Sequence, residues 1–221
     1  GSGDYLSAGS SSDFTMGTGD FTVECWVKCD NYNKGIFQIS DTSGGLKGSG
    51  YQYDISLWTH SDGRLGTSIG GSNVYGSGKL GKGQWHHVAI TRASGTEYIF
   101  LDGTLQFSGS ESQNYNGTYI AIGGYYDTSY LIDGQISNLR VVKGTALYTS
   151  SFRVPTEPLT AITNTVLLCC NNVSVTGSTV TTGTITYNGN PQPSTNNPFD
   201  DPEAFKFGEE GDQNLIKCGS Y

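Results

Sequence analysis

The sequence predicts an all-β fold, an antiparallel sandwich or barrel. Three observations carry this. Short apolar alternations recur between turns rich in Gly, Ser and Asn. The 221 residues include 32 Gly, 14 Tyr and 9 Phe, and the aromatics favour strands. Charged residues make up only 14%, too few to solvate the faces of long helices.

In chain order, strands are expected near 4–7, 21–28, 35–40 and 51–59, then near 65–69 and 85–92. Further strands follow near 97–101, 105–107, 119–123, 135–142 and 165–169. In FTVECWVKC, Phe21, Val23, Cys25 and Val27 share one face, which should enter a core. In YQYDISLWTH one face carries Tyr51, Tyr53, Ile55 and Leu57. The other carries Gln52, Asp54, Ser56, Trp58 and His60. That is the pattern of an antiparallel sheet wet on one side. In FLDGTLQF, Asp102-Gly103 supplies the positive φ of a tight hairpin. The stretch TSIGGSNVYGSGKLGKG reads as loop around a weak strand, and KGTALYT, 143–149, as a helical turn. Pro158 breaks TEPLTAIT. From Asn171 the texture turns to Thr, Asn, Gly and Pro, an extended arm with a strand at 178–187.

The net charge of −8 argues against binding nucleic-acid phosphates. It permits a cation or a neutral polar ligand such as a glycan. No apolar run reaches the roughly 18 residues of a membrane-spanning helix, so no membrane insertion is expected. The start, GSGDYLSAG, has neither a basic segment nor an apolar core and no Met, so a processed or partial chain is expected. Cys25, Cys29, Cys169, Cys170 and Cys218 form no C-x-x-C pair. In an extended strand Cys25 and Cys29 lie about 13 Å apart, too far to bridge. They read as free thiols, compatible with a reducing cytosol.

Three blocks carry a family resemblance: GDYLSAGSSSDFTMGTGDFTVECWVK, GQWHHVAITRASGTEYIFLDG and YLIDGQISNLRVVKGTALYTSSFRVPTEPLT. In this order they resemble the concanavalin A-like lectin/glucanase, or laminin G-like, superfamily over about residues 3–170. The resemblance implies a jelly-roll sandwich of two curved antiparallel sheets. The RVVKGTALYTSSFRVPTEPLTAITNTVLLCC version resembles a branch common in virion proteins of marine tailed phages, cyanophages especially. The tail NPFDDPEAFKFGEEGDQNLIKCGSY resembles the segment that leads into a further domain in long phage fibre proteins. The expected organisation is a laminin G-like sandwich at 1–170, an arm at 171–198 and a short C-terminal segment at 199–221.

The resemblance spans lectins, glycan-cleaving enzymes and inert spacers. Glucanases of this fold place carboxylates on alternate residues of one strand, as Glu-x-Asp-x-Glu, because glycoside hydrolysis needs two of them close together. That motif is absent. Glu24 is flanked at the same parity by Thr22 and Trp26, and Asp54 by Gln52 and Ser56. His86 and His87 point to opposite faces of a strand, and no Gly-x-Ser-x-Gly elbow is present. No enzymatic activity is expected.

Calcium is the cofactor the family resemblance raises. Asp13, Asp20, Asp127 and Asp133 are the candidate ligands, since hard oxygen donors on loops suit it. Asp is also an ordinary turn residue. Sugars stack on aromatic rings and hydrogen-bond to planar polar groups. Asp54, Trp58 and His60 on the polar strand face are candidates, as are Tyr115, Tyr125, Tyr126 and Tyr130 in the loops. The tyrosines could equally pack against a neighbouring subunit. Arg140 and Arg153 are expected to pin the 141–152 segment by ion pairing. Asn116-Gly-Thr and Asn172-Val-Ser match glycosylation acceptors.

The sequence reading is a non-enzymatic virion module, in a tail fibre, with a host-glycan surface. The alternatives are a decoration protein acting through subunit packing and a glycan-degrading enzyme. Expected partners are a host-surface glycan, other virion proteins and further copies of the chain, three if it is a fibre. The expected location is the virion surface after assembly in the host cytoplasm.

Overall fold

The computed structural model describes residues 3–48 and 54–199. The strands are β1 (Tyr5–Ala8), β2 (Phe21–Cys29), β3 (Lys34–Ser40), β4 (Ile55–Thr59) and β5 (Arg64–Ile69). They continue as β6 (Ser72–Lys79), β7 (Trp85–Ala93), β8 (Thr96–Leu101), β9 (Thr104–Ser110) and β10 (Tyr119–Ile122). The last are β11 (Gly134–Lys143), β12 (Thr165–Cys169), β13 (Ser178–Val180) and β14 (Ile185–Asn188).

They form two seven-stranded antiparallel sheets. The first has the order β14-β1-β10-β3-β4-β5-β6 and the second β13-β12-β11-β2-β7-β8-β9. The architecture is the expected all-β jelly-roll sandwich. Alternation places one set of side chains between the sheets. Phe37, Ile39, Ile55, Leu57 and Leu65 come from the first sheet, and Val23, Cys25, Val27, Val88, Ile90 and Ile99 from the second. Each such apolar side chain contributes roughly 1.5–3 kcal/mol on burial. Asp102 and Gly103, at φ 49° and 71°, turn β8 into β9 as the hairpin pattern required.

Three expectations change. Residues 72–79 form a full edge strand, β6, in the stretch read mainly as loop. Its Gly- and Ser-rich, largely exposed sequence gives little apolar alternation to read. Residues 143–149 form no helical turn. Gly144 sits at φ 80° and the chain leaves β11 as an irregular strap. Thr22 holds that strap, its hydroxyl donating to Thr145 O at 2.9 Å and accepting from Leu147 N–H at 2.9 Å.

The segment read as an extended arm folds back on its own sandwich. β13 pairs with β12 and β14 with β1, adding an edge strand to each sheet. Residues 194–199 then reach the second sheet. Trp85 Nε1 donates to Asn196 Oδ1 at 3.1 Å, Gln135 Nε2 to Ser194 Oγ at 2.8 Å, and Phe199 meets the Trp26 ring edge-on. Residues 200–221, with Cys218 and most of the expected C-terminal segment, lie outside the described residues, as do Tyr51, Gln52 and Tyr53.

Candidate functional site

Each sheet has an outer face, and each outer face is covered. On the second sheet the cover is the strap 144–160. Glu24 lies directly opposite Arg140 in the β2–β11 register. Arg140 Nε and Nη2 donate to Glu24 Oε1 at 2.9 and 2.6 Å, and Tyr148 OH donates to Oε2 at 2.9 Å. His87 Nε2 lies 3.1 Å from the same oxygen. Burial pushes the Glu24 pKa up, but the His87 hydrogen bond and the Arg140 charge outweigh it and hold the carboxyl below its usual range. Arg140 also donates to Thr160 O at 2.8 Å, so it pins the strap. Tyr148 and Phe152 stack 3.6 Å apart, and His87 and Phe100 meet them edge-on. The pinning expected of Arg140 is present. Arg153 is exposed on the strap.

On the first sheet the cover is made by residues 41–48 and 123–131. Gln38 ties both down. Its Oε1 accepts from Lys47 N–H at 3.1 Å and Tyr126 N–H at 2.9 Å, and its Nε2 donates to Asp54 Oδ2 at 3.1 Å. The face read as wet is therefore sheltered, with Asp54 and Ser56 buried and Trp58 only 3% exposed. The Trp58 indole lies flat over Gly66, and Tyr125 stacks on it with ring centres 4.8 Å apart and planes 9° apart. Trp58 is thus the floor beneath a tyrosine rather than an open platform. Burial pushes the Asp54 pKa up to about 7, against the pull of the Lys47 ammonium.

Above that floor Tyr125, Tyr126 and Tyr130 form one cluster, with ring centres 5.3–6.2 Å apart and each ring part-exposed. Asp127 caps the turn that presents Tyr130, accepting from Ser129 N–H at 2.7 Å. Lys34 Nζ donates to Ser129 O at 3.1 Å. His60 lies at the β4–β5 turn, 4.6 Å from the Tyr75 ring and 2.8 Å from Asp62. The structure thus brings together three of the four loop tyrosines, and one of them, Tyr125, stacks on Trp58.

Tyr115 is not with them. It is 1% exposed, and its OH donates to Glu97 Oε2 at 3.0 Å between the sheets. An isolated bridge to Gly17 pulls it inward, and the buried Arg92 guanidinium lies 4.7 Å from its ring centre. Arg92 donates to Gly17 O, Gly19 O and Gln113 O at 2.6–2.9 Å. This frame braces loop 111–118 from below.

Each of the four candidate aspartates has a hydrogen-bond partner within the chain. Asp13 accepts from Ser11 Oγ at 3.3 Å, Asp20 from Ser94 N–H at 2.8 Å and Asp133 from Asn31 Nδ2 at 2.6 Å. Asp13 and Asp127 bond within their own turns, and Asp20 and Asp133 bond to segments distant in sequence. Among the described residues no group of three His, Cys, Asp or Glu side chains could hold a metal. Cys25, Cys29, Cys169 and Cys170 are free thiols, and burial raises the Cys29 pKa to about 12.

Sequence reasoning missed Gln38, which needs the fold to reveal its partners. It also missed a depression of about 310 Å³ lined by Asp41, Lys47, Gln113, Asn114 and Asn116. The run of carboxamides in QNYN was the available signal.

A family model described as the concanavalin A-like lectin/glucanases superfamily matches residues 1–148. The chain belongs to this superfamily. Solved structures of the same fold include a heptameric SAP-like pentraxin from Limulus polyphemus, with a TM-score of 0.51 and 21% identity over 66% of this chain and 72% of that one. A putative carbohydrate binding protein from Bacteroides ovatus gives a TM-score of 0.54 and 18% identity, over 84% of this chain and 56% of that one. At these identities the likeness is one of fold. A comparison with curated proteins gives no match. No helix among the described residues is long and apolar enough to cross a membrane.

Proposed function

We propose that this superfamily member is a non-enzymatic glycan-recognition module that binds through Tyr125, Tyr126 and Tyr130. The observation that carries the reading is their clustering, part-exposed, on a face otherwise closed by its own loops. Tyrosine rings braced against one another, with Tyr125 stacked on the Trp58 indole, offer a sugar C–H face contact at low entropic cost. The putative carbohydrate binding protein named among the solved structures of this fold supports the same class. Against catalysis, Glu24, Glu97 and Glu111 are all buried, so none of them reaches a glycosidic oxygen.

The finer reading rests on the sequence resemblance to phage virion proteins. In it the module sits in a tail fibre on the virion surface and engages a host-cell glycan. The second reading is a decoration protein acting through subunit packing. The exposed Tyr187 on the β14 edge strand, 62% accessible, and Val173, 77% accessible, favour it.

A glycan-array screen of the full chain, with and without calcium, tests the first reading. Binding independent of calcium is expected, with at least about tenfold weakening in Tyr126→Ala, the equivalent of 1.4 kcal/mol. Absence of binding to any host polysaccharide would sink the glycan reading. Retained affinity in Tyr126→Ala and Tyr130→Ala would remove the site. Self-association that Tyr187→Ser abolishes would favour the packing reading.

A further inference from the structure

Loop 111–118 divides its side chains sharply. Glu111 and Tyr115 turn inward and are buried. Gln113, Asn114 and Asn116 turn outward and line the depression of about 310 Å³, with Asp41 and Lys47 on its other side. Among the described residues no hydrogen bond engages the side-chain amides of Gln113, Asn114 or Asn116. The amides of Gln38, Asn31 and Asn138, by contrast, are all bonded.

The backbone carrying these amides is fixed. Gln113 N–H donates to Glu111 Oε1 at 2.6 Å and Gln113 O accepts from Arg92 at 2.9 Å. Gly17 and Tyr115 exchange hydrogen bonds of 2.8 and 2.9 Å, and Thr118 N–H donates to Ser40 O at 2.8 Å. Gly117 sits so close to β3 that an added Cβ would lie 2.9 Å from Ser40 N. A ligand meeting this loop has little ordering cost to overcome.

The chemistry of the lining selects the ligand. Each carboxamide offers two N–H donors and one acceptor, the complement of hydroxyls that both donate and accept. Lys47 is already neutralised, with its Nζ 2.7 Å from Asp41 and 3.8 Å from Asp54. The chain carries −8 overall, which disfavours an anionic ligand. The depression adjoins the tyrosine face. Lys47 and Tyr126 share Gln38 as acceptor, and a Cβ on Gly48 would lie 3.8 Å from the Tyr126 ring.

We propose that this depression is a second subsite, taking an uncharged, polyhydroxylated sugar residue of the chain that stacks on Tyr125, Tyr126 and Tyr130. The proposal rests on the glycan reading and adds to it a neutral-sugar specificity.

The test is NMR titration of the 15N-labelled 221-residue chain with neutral cello-, manno- and galacto-oligosaccharides and with acidic oligogalacturonate. A neutral oligosaccharide should shift the side-chain amide signals of Gln113, Asn114 and Asn116. The double variant Asn114→Ala/Asn116→Ala should melt as the wild type does and bind that oligosaccharide about tenfold more weakly, the equivalent of 1.4 kcal/mol. Three results overturn the subsite while leaving the tyrosine site standing. They are shifts near Tyr126 with unmoved carboxamides, affinity of the double variant within about twofold of wild type, and tighter binding of oligogalacturonate than of any neutral chain. No binding of any oligosaccharide by the wild type overturns the glycan reading and the subsite with it.

Discussion

The two outer faces of this sandwich are covered by different chemistry. On the second sheet the strap 144–160 is fastened by charge: Glu24 meets Arg140, His87 and Tyr148, and both carboxylate oxygens are engaged. On the first sheet the covering loops are fastened by the neutral amide of Gln38 and by Tyr125 stacked on Trp58. The first arrangement engages both oxygens of its buried carboxylate internally. The second leaves three tyrosines part-exposed and, beside them, three carboxamides unbonded. The strap closes one face over its own carboxylate, and the other face keeps aromatic and amide groups within reach of a ligand.

The largest expected effect breaks the sealed face. Arg140→Ala leaves Glu24 as a buried carboxylate without its cation and should destabilise the fold by about 3–5 kcal/mol. Urea unfolding reads this directly. Glycan affinity of the folded fraction should be unchanged, since the strap lies on the opposite sheet. A loss of affinity without loss of stability would show that the two faces are not separable in the way their chemistry suggests.

That contrast was only half legible in the sequence. Parity within FTVECWVKC gave the core face of β2 correctly, because a strand's alternation is a local property. It also showed that Glu24 has no carboxylate partner on its own strand. It could not show Arg140, which lies directly opposite Glu24 only once β2 and β11 are in register. Likewise Asp54, Ser56 and Trp58 do share one face, but whether that face is wet depends on loops distant in sequence. Gly35 and Gly45 permit the cover, since a side chain on either would collide with the backbone of Tyr125 or Ala121. Tyr115 belongs to a tyrosine-rich stretch by sequence and to the interior by its bridge to Gly17. The arm at 171–198 lacked apolar pattern because edge strands need little of it, and β14 buries only Ile185.

The next effect, on the order of a few kcal/mol, separates the regions by pH. Glu97 lies between the sheets beneath loop 111–118. Burial first, and then the Glu111 carboxylate, raise its pKa from 4.5 to about 8, against the Tyr115 hydrogen bond and the Arg92 charge. The folded chain therefore keeps a proton that the unfolded chain releases near pH 4.5. This contribution to stability is fully present below pH 4.5 and is lost as pH rises towards 8. Asp54 acts in the same sense between pH 3.8 and about 7. Glu24 on the sealed face acts oppositely. Its lowered pKa gives stability above its usual value of 4.5, lost as pH falls through the folded value. Glu97→Gln should flatten the alkaline side of the stability profile and leave the acid side alone. An unaltered alkaline slope in that variant would refute the assignment to Glu97.

The smallest of the three effects is aimed at the open face. Gly66 lies on β5 under the Trp58 indole, and an added Cβ would stand 2.5 Å from Nε1 and 2.6 Å from Cε2. The indole is a large rigid group, held from the other side by Tyr125, so it cannot yield as a flexible chain end would. Gly66→Ala should therefore cost about 1–3 kcal/mol as overpacking. Its more informative consequence is displacement. Moving the indole moves Tyr125, and with it the platform shared with Tyr126 and Tyr130. The variant should lose glycan affinity more than its modest destabilisation suggests, as Arg140→Ala should not. Trp fluorescence and oligosaccharide titration of the two variants side by side measure this. Equal affinity in Gly66→Ala and wild type, with a shifted Trp58 signal, would mean that the tyrosines bind independently of the floor on which they stack.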